Sequence, residues 1–228
     1  MLPRIVSPEA WQAERLALLA EEKALDRARD ALAARRRALP VTLVAGEYRF
    51  DTPAGPATLQ DLFDGRRQLI VYHFMFGADW AEGCPSCSFW ADSFDGIGIH
   101  LAQRDTALAA VSAAPLDRIT AYRERMGWRF PWVSSHGTRF NQDFGVTLPE
   151  GVAEPHYNYA PRPGAKGEMP GISVFLQDGG QVLHSYSTYA RGLDMLNGAY
   201  HFLDLTPLGR QEDGLPWTMA WVRRHDRY

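Results

Sequence analysis

Residues 69–90 read LIVYHFMFGADWAEGCPSCSFW, an apolar run followed by two cysteines in a Cys-x-x-Cys spacing. The run at positions 69–76 has the length and the near-continuous hydrophobicity of a buried β-strand. We therefore predict a strand that leads into a helix, with Cys84 at the start of the helix and Cys87 one turn further on.

The two thiols of this motif are the only cysteines among the 228 residues. At a helix N-terminus, backbone N–H groups and the helix dipole stabilise negative charge, so a thiol placed there ionises more easily. The thiolate is the nucleophile of thiol–disulfide exchange, and a second thiol nearby can resolve the mixed disulfide. The motif predicts a redox-active dithiol in which Cys84 attacks and Cys87 resolves.

The composition indicates a globular protein without affinity for polyanions. Hydrophobic residues at 46% and aromatic residues at 12% can supply a substantial core. A net charge of −3 and a pI near 6.2 give no electrostatic basis for binding nucleic acid or an anionic membrane. The chain starts without the apolar segment of a secretory signal, so we expect a cytoplasmic location. In a reducing compartment a cysteine pair indicates a catalytic, redox-sensing or metal-binding role.

The chain is predicted to have one domain with two extensions. Residues 1–40 form a helical extension, residues 41–205 the domain, and residues 206–228 a tail packed on the domain. In the extension, apolar residues recur every seven positions, at Trp11, Leu18, Leu25, Leu32 and Leu39. A homodimer through this helix is one interpretation, and a helix resting one edge on its own domain is the favoured one, because a coiled-coil seam needs apolar residues at two positions of each heptad.

From residue 41 the pattern is typical of an α/β protein. The helix that starts at the cysteines is predicted to run through Phe94, with a kink at Gly96 and Gly98. Asp178-Gly179-Gly180 is a strong hairpin signal between two strands. The other predicted elements are strands at 41–44, 48–50 and 106–111, a helical turn at 59–63, helices at 115–126 and 193–203, and a long loop at 149–170.

The order strand, Cys-x-x-Cys helix, strand, helix, hairpin, helix is typical of the thioredoxin-like fold. A second resemblance is carried by residues 74–80, 83–90, 128–135 and 186–192. In these segments the amino-acid sequence resembles the bacterial family called domain of unknown function 899, whose members are described as predicted dithiol-disulfide oxidoreductases. The resemblance implies a central mixed sheet flanked by helices. It also implies that Cys84 occupies the attacking position and Cys87 the resolving position.

The same resemblance implies a substrate-binding segment opposite the dithiol. In thioredoxin-like folds a cis-proline begins the strand after the long loop, and Met169-Pro170 resembles that segment; we expect a cis Pro170 in preference to an ordinary trans proline. The backbone before such a proline can pair with a substrate. The predicted substrate-binding residues are Trp80, Pro85, Ser86, Met169 and Pro170.

A thiol peroxidase is an alternative, because residues 105–146 also resemble the peroxiredoxins. Peroxide reduction in that family uses a Pro-x-x-x-Thr-x-x-Cys loop, and this chain has Gly77 and Ala81 at the proline and threonine positions before Cys84. The arginine expected before the later strand is also missing. Without the hydroxyl and the guanidinium, developing charge on the peroxide oxygens lacks its stabilisers. Peroxidase activity is therefore the second interpretation.

A redox-sensing or metal-binding module without enzymatic activity is the third interpretation. Zinc would need two further ligands, and the seven histidines are scattered, so we expect neither a metal nor an organic cofactor. The expected partners are a protein or small-molecule disulfide and a thiol reductant. His73 is a candidate base, although a buried structural histidine is favoured. Weaker candidates for a cleft near the dithiol are Asp79, Glu82, Tyr157, Tyr159, Tyr186, Tyr189 and Arg191.

Overall fold

The computed structural model describes residues 4–228, and the chain divides into two compact units, Met1–Pro40 and Val41–Tyr228. In the first unit, helix α1 spans Pro8–Arg37; the Ser7 hydroxyl accepts a hydrogen bond from the Ala10 N–H and caps its start. No residue of α1 is buried. The predicted heptad residues Trp11, Leu18, Leu25, Leu32 and Leu39 are 44–61% exposed.

The second unit is built on one eight-stranded mixed sheet and two small ribbons. Its strands are β1 Thr42–Leu43, β2 Arg49–Thr52, β3 Gly55–Thr58, β4 Gln68–His73, β5 Thr106–Ser112, β6 Trp132–Ser134, β7 Thr147–Leu148, β8 His156–Tyr157, β9 Ala160–Pro161, β10 Gly167–Glu168, β11 Gly171–Asp178 and β12 Gln181–Tyr189. The order in the large sheet is β1-β12-β11-β4-β5-β6-β2-β3, while β7 pairs with β10 and β8 with β9.

Five helices accompany the strands of the second unit. They are α2 Pro85–Ala91, α3 Phe94–Ala102, α4 Leu116–Arg125, α5 Phe140–Asp143 and α6 Gly198–Asp204, with 3₁₀ turns at Asp61–Phe63, Ala190–Leu196 and His225–Arg227. Within residues 4–228, no helix is both long enough and apolar enough to cross a membrane.

The central strands have the arrangement of a thioredoxin-like fold. Strands β4, β5 and β6 are parallel, β11 lies antiparallel to β4, and β12 lies antiparallel to β11. Strand β4 therefore lies between the hairpin β11–β12 on one side and its parallel partner β5 on the other. The predicted fold class is confirmed, and so is the hairpin, whose turn residues Gly179 and Gly180 both have positive φ.

Both faces of β4 are buried, as its near-continuous apolar run predicts. Tyr72 and Phe74 face a cluster formed with helices α2, α3 and α4, whereas Leu69 and Val71 face a second cluster that contains Phe140 of α5. Successive side chains of a strand point to opposite faces, so one strand supplies both clusters. The dithiol helix α2 lies on the Tyr72 face.

The helix after the cysteines ends earlier than predicted. It breaks between α2 and α3 at Asp92–Ser93, where the Ser93 N–H and hydroxyl both donate to the Trp90 carbonyl oxygen. The predicted kink at Gly96 and Gly98 is wrong, because α3 continues regularly through both glycines. The Ser93 hydroxyl thus satisfies a carbonyl group in the last turn of α2, where the helix ends.

Two further predictions along the domain need correction. The predicted helix at 193–203 is split, because Asn197 is extended and its side chain accepts from the Tyr200 N–H to start α6. The long loop at 149–170 contains three of the short strands, β8, β9 and β10. Strands β8 and β9 pair with each other as a short hairpin, whereas β10 pairs with β7 about twenty residues earlier in the chain.

Candidate active site

Residues 74–83 connect the end of strand β4 to the dithiol. The Cys84 N–H donates to the Met75 carbonyl oxygen at 3.0 Å, which fixes the motif to the segment that leaves the strand. Pro85 occupies the first position of α2, where its missing N–H leaves no intrahelical bond unmade. Cys84 is partly exposed and Cys87 is buried, and both thiols are free.

The thiol of Cys84 is placed so that its charged form is stabilised. A hydrogen bond from the Cys87 thiol has the largest effect, and N–H groups of Cys87 and Ser86 add to it. Burial opposes the effect, yet together these groups lower the pKa of Cys84 to about 6. At pH 7 the thiolate is therefore the favoured form of Cys84.

The thiol of Cys87 is in the opposite electrostatic situation. Burial and the neighbouring Cys84 raise the pKa of Cys87 well above its ordinary value. Two donors moderate this effect: the Met75 N–H lies 3.4 Å from the Cys87 sulfur, and the Tyr72 hydroxyl also donates to it. In the reduced protein Cys87 is therefore the protonated member of the pair.

Sequence reasoning missed Tyr72 as a residue of the site. Its ring is buried on the face of β4 that α2 covers, and its hydroxyl reaches the inner thiol. The signal available was the alternation along the strand, which places Tyr72 on the same face as Phe74 and thus toward the helix that carries the cysteines.

A second network of polar groups holds the backbone on both sides of Cys84. The Ser88 hydroxyl donates to the Cys84 carbonyl oxygen at 2.8 Å and is hydrogen-bonded to the Tyr122 hydroxyl at 2.9 Å. Arg224 donates through Nε to the Tyr122 hydroxyl and through Nη2 to the Gly83 carbonyl oxygen. The tail thus contributes directly to the position of the nucleophile.

A cavity of about 700 Å³ adjoins the inner thiol. Cys87, Tyr72, Ser86 and Pro170 all contribute to its wall. Two of the predicted substrate-binding residues, Ser86 and Pro170, are thus brought together with the dithiol, although substrate binding by them stays a prediction.

The other predicted substrate-binding residues do not line this cavity. Trp80 stacks over Gly77, where a Cβ would come within 2.8 Å of the indole Nε1. Met169 packs against the small cluster that contains Val146 and Tyr157. Pro85 starts α2 as described above. Their role in substrate binding remains untested.

The expected cis-proline is wrong, because every peptide bond in the described residues is trans. Hydrogen bonds hold the peptide groups on both sides of Pro170: the Met169 N–H donates to Val146 at 2.7 Å, and the Tyr157 hydroxyl donates to the Pro170 carbonyl oxygen at 2.7 Å. The trans isomer is also intrinsically favoured by about 0.5–1 kcal/mol. Pro170 still precedes β11 and still lies beside the dithiol.

Glu82 is not available as a proton carrier for the dithiol. Its carboxylate forms ion pairs with Arg125, Arg224 and Arg227. Although burial opposes the shift, these guanidinium groups hold its pKa below the ordinary value. Asp79 lies near Glu168 instead, whose pKa is raised by burial and by the Asp79 charge.

His73 has the character of a buried structural histidine. It is 1% exposed, on the face of β4 opposite Tyr72, and its Nε2 is hydrogen-bonded to the Ser173 hydroxyl at 2.8 Å. Burial, with a contribution from His184, lowers its pKa to about 3. Within residues 4–228, no group of three His, Cys, Asp or Glu side chains is arranged to hold a metal ion.

Comparison with solved structures finds weak similarities. A peroxiredoxin Q from Xanthomonas campestris is 13% identical with a TM-score of 0.49, over 71% of this chain and 95% of that chain. Peroxidoxin BcpB from Mycobacterium tuberculosis is 17% identical with a TM-score of 0.45, over 69% and 93%. At these identities, the similarity says nothing about activity.

Among curated proteins, no sequence matches this chain. A family profile, in contrast, matches residues 1–228, the whole length of the sequence. The resemblance read from the sequence is thereby confirmed: the chain belongs to the family described as bacterial protein of unknown function (DUF899).

Proposed function

We propose that this protein is a thiol–disulfide oxidoreductase that uses Cys84 as the nucleophile and Cys87 as the resolving thiol. The observation that carries the proposal is the division of properties between the two sulfurs. Cys84 is partly exposed with its pKa lowered to about 6, whereas Cys87 is buried with its pKa raised. An attacking thiol works best when its pKa lies near the ambient pH, which matches Cys84.

The reaction has two exchange steps. The Cys84 thiolate attacks one sulfur of the substrate disulfide, the substrate S–S bond breaks, and the first product leaves as a thiolate that takes up a proton. Cys87 then loses its proton and attacks the Cys84 sulfur. This step forms the Cys84–Cys87 disulfide and releases the second product thiol, so that the substrate gains two electrons and the dithiol loses them.

The Tyr72 hydroxyl assists the second step. Because it donates to the Cys87 sulfur, it stabilises the thiolate that Cys87 must become before it attacks. A separate thiol reductant returns the pair to the dithiol state. Neither a metal nor an organic cofactor takes part in these steps.

Trapping a mixed disulfide tests the proposal. The Cys87→Ser variant, incubated with a disulfide such as insulin or hydroxyethyl disulfide, should hold its substrate covalently at Cys84, and a reductant should release it. The control is the double variant Cys84→Ser/Cys87→Ser, which should trap nothing. If Cys87→Ser traps no disulfide and Cys84 resists alkylation at pH 7, the proposal is wrong.

A thiol peroxidase is the second candidate, because the same lowered pKa of Cys84 also suits attack on a peroxide. The two functions differ in the first product. A peroxidase would consume hydrogen peroxide rapidly and would convert Cys84 of the Cys87→Ser variant to a sulfenic acid. Rapid peroxide consumption combined with slow disulfide reduction would favour the peroxidase.

A further inference from the structure

The cavity beside the dithiol is enclosed in part by the segment that follows α6. Residues 208–213, together with Thr218 and Met219, line the same space as Cys87 and Pro170. The Cys84 and Cys87 thiols are hydrogen-bonded to each other, so the nucleophile lies next to a residue of the cavity wall. The inner thiol of the pair therefore faces a pocket, with the nucleophile at its edge.

The segment that encloses the cavity is firmly held. Arg210 donates two hydrogen bonds to Asp194 and two to Asp204, and its guanidinium lies 4.0 Å from the centre of the Tyr200 ring. Bidentate pairs of this kind fix geometry as well as charge. The Arg210 side chain is 18% exposed, so these pairs are partly shielded from solvent.

Glu212, two residues further along, is also held by several hydrogen bonds within the protein. Its Oε1 accepts hydrogen bonds from the Tyr200 hydroxyl, the Met219 N–H and the Trp221 indole N–H. These contacts fix the wall of the cavity to α6 and to the later part of the tail. A cavity of about 700 Å³ with fixed walls has the size of a site for a small molecule.

Two charged residues of the cavity wall are not used in this way. Arg191 and Asp213 are both exposed, and in the described part of the chain neither side chain forms a hydrogen bond or an ion pair. They carry opposite charges, while the other ionised groups of the wall are paired internally. Hydrogen bonds from Arg210 and, to a lesser degree, the Arg191 charge lower the pKa of Asp204. The Arg191 guanidinium and the Asp213 carboxylate nevertheless make no hydrogen bond within the described residues, so both can bind a ligand at this wall.

From these observations we infer that the substrate is a low-molecular-weight disulfide that carries both carboxylate and ammonium groups, as disulfides of amino acids and small peptides do. The inference rests on the proposed function and names its substrate class. Arg191 binds the carboxylate and Asp213 binds the ammonium group. The half of the disulfide that becomes bonded to Cys84 occupies the cavity until Cys87 displaces it.

Single-turnover oxidation of the reduced protein by a matched series of disulfides tests the inference. The probes are oxidised glutathione, which carries both charges, cystamine, dithiodipropionate, neutral hydroxyethyl disulfide and insulin. Oxidised glutathione should react at least several-fold faster than hydroxyethyl disulfide and than insulin. If insulin reacts fastest, or if charge makes no difference, the inference fails while the proposed function stands. If no probe oxidises the dithiol, the proposed function itself fails.

Charge-neutralising variants test whether Arg191 binds the carboxylate of the substrate and Asp213 its ammonium group. Arg191→Gln should slow oxidation by dithiodipropionate about two- to five-fold and leave cystamine unaffected, since an exposed ion pair contributes about 0.2–1 kcal/mol. Asp213→Asn should slow oxidation by cystamine to a similar extent and leave dithiodipropionate unaffected. Arg104→Gln and Asp178→Asn, which change exposed charges outside the cavity wall, are the matched controls. Equal effects of control and test variants would overturn the assignment.

Helix α1 carries a second, independent inference. Four apolar residues of α1, Trp11, Leu18, Leu25 and Leu32, together with Leu39 just beyond its end, repeat every seven positions and remain exposed. Its first half, residues 8–22, contains four acidic residues and one basic residue, and its second half, residues 23–37, contains six basic residues and two acidic ones. Because an antiparallel copy would place each acidic half against a basic half, we propose that α1 pairs antiparallel with α1 of a second copy.

Cross-linking in a Cys84→Ser/Cys87→Ser background tests this pairing. With Leu25 at the centre of the repeat, Glu21 of one copy lies opposite Arg29 of the other. A mixture of the Glu21→Cys and Arg29→Cys proteins should therefore form a mixed cross-link more readily than either forms with itself. Leu18→Glu/Leu25→Glu should give a monomer by light scattering, whereas the control Leu205→Glu should not. A monomeric parent protein, or preferred self cross-linking, would contradict the proposal.

Discussion

The Nη2 of Arg224 donates a 2.7 Å hydrogen bond to the carbonyl oxygen of Gly83, the residue directly before Cys84. The same guanidinium donates through Nε to the Tyr122 hydroxyl, which is hydrogen-bonded to Ser88 in the first turns of α2. One side chain of the tail thus holds the backbone that leads into the nucleophile. Arg224 is a positioning residue for Cys84.

We expect Arg224→Gln to raise the pKa of Cys84 and to destabilise the fold by about 1–3 kcal/mol, since it removes charged hydrogen bonds at a partly buried site. Thiolate absorbance at 240 nm against pH measures the first effect, and urea unfolding measures the second. Arg227→Gln is the control, because Arg227 shares Glu82 as a partner but has a half-exposed side chain. An unchanged thiolate pKa in Arg224→Gln would contradict the positioning role.

Alkylation of Cys84 should depend on the residue at position 87. The hydrogen bond from Cys87 is the largest cause of the lowered Cys84 pKa, so Cys87→Ala should raise that pKa above about 6, whereas Cys87→Ser keeps a donor and should raise it less. The rate of iodoacetamide modification against pH gives the midpoint for each protein. The same midpoint in all three would show that the inner thiol does not stabilise the outer thiolate.

Removal of the Tyr72 hydroxyl should slow the second exchange step. In Tyr72→Phe the pKa of Cys87 rises further, because one of the two donors to its sulfur is lost. The mixed disulfide at Cys84 should then accumulate during turnover, which quenched-flow mass spectrometry would detect. Tyr159→Phe, which removes a hydroxyl bonded to the Ser187 carbonyl oxygen, should leave the intermediate level unchanged. Accumulation in neither variant would remove Tyr72 from the mechanism.

Acid should destabilise the protein through His73. The folded state keeps this imidazole neutral down to about pH 3, whereas the unfolded chain protonates it near its ordinary pKa of 6.5. Its contribution to stability is therefore complete above pH 6.5 and is lost as the pH falls toward 3, at up to about 1.4 kcal/mol per pH unit. The free energy of unfolding measured from pH 7 to pH 4 should fall less steeply in His73→Gln. An equal pH dependence of the free energy of unfolding in the two proteins would contradict the role of His73.

Local sequence chemistry predicted the parts of the fold that depend on neighbouring residues. The buried strand β4, the helix that opens at Cys84 and the hairpin at Gly179-Gly180 each rest on a few consecutive positions. The isomer of Pro170 and the short strands of the 149–170 segment did not follow from the sequence. The Met169 N–H before Pro170 is bonded to Val146 and β10 pairs with β7, and no local pattern identifies these partners.

The candidate site divides in the same way. The sequence by itself determined which sulfur lies at the helix start and which lies one turn inward, because helix geometry fixes that relation. Only the tertiary structure brought the Tyr72 hydroxyl to Cys87, and only it placed Arg224 beside Gly83, 141 positions earlier in the chain. Contacts of that kind arise from how strands, helices and tail pack together, so the tuning of the dithiol and the shape of its cavity were decided by packing.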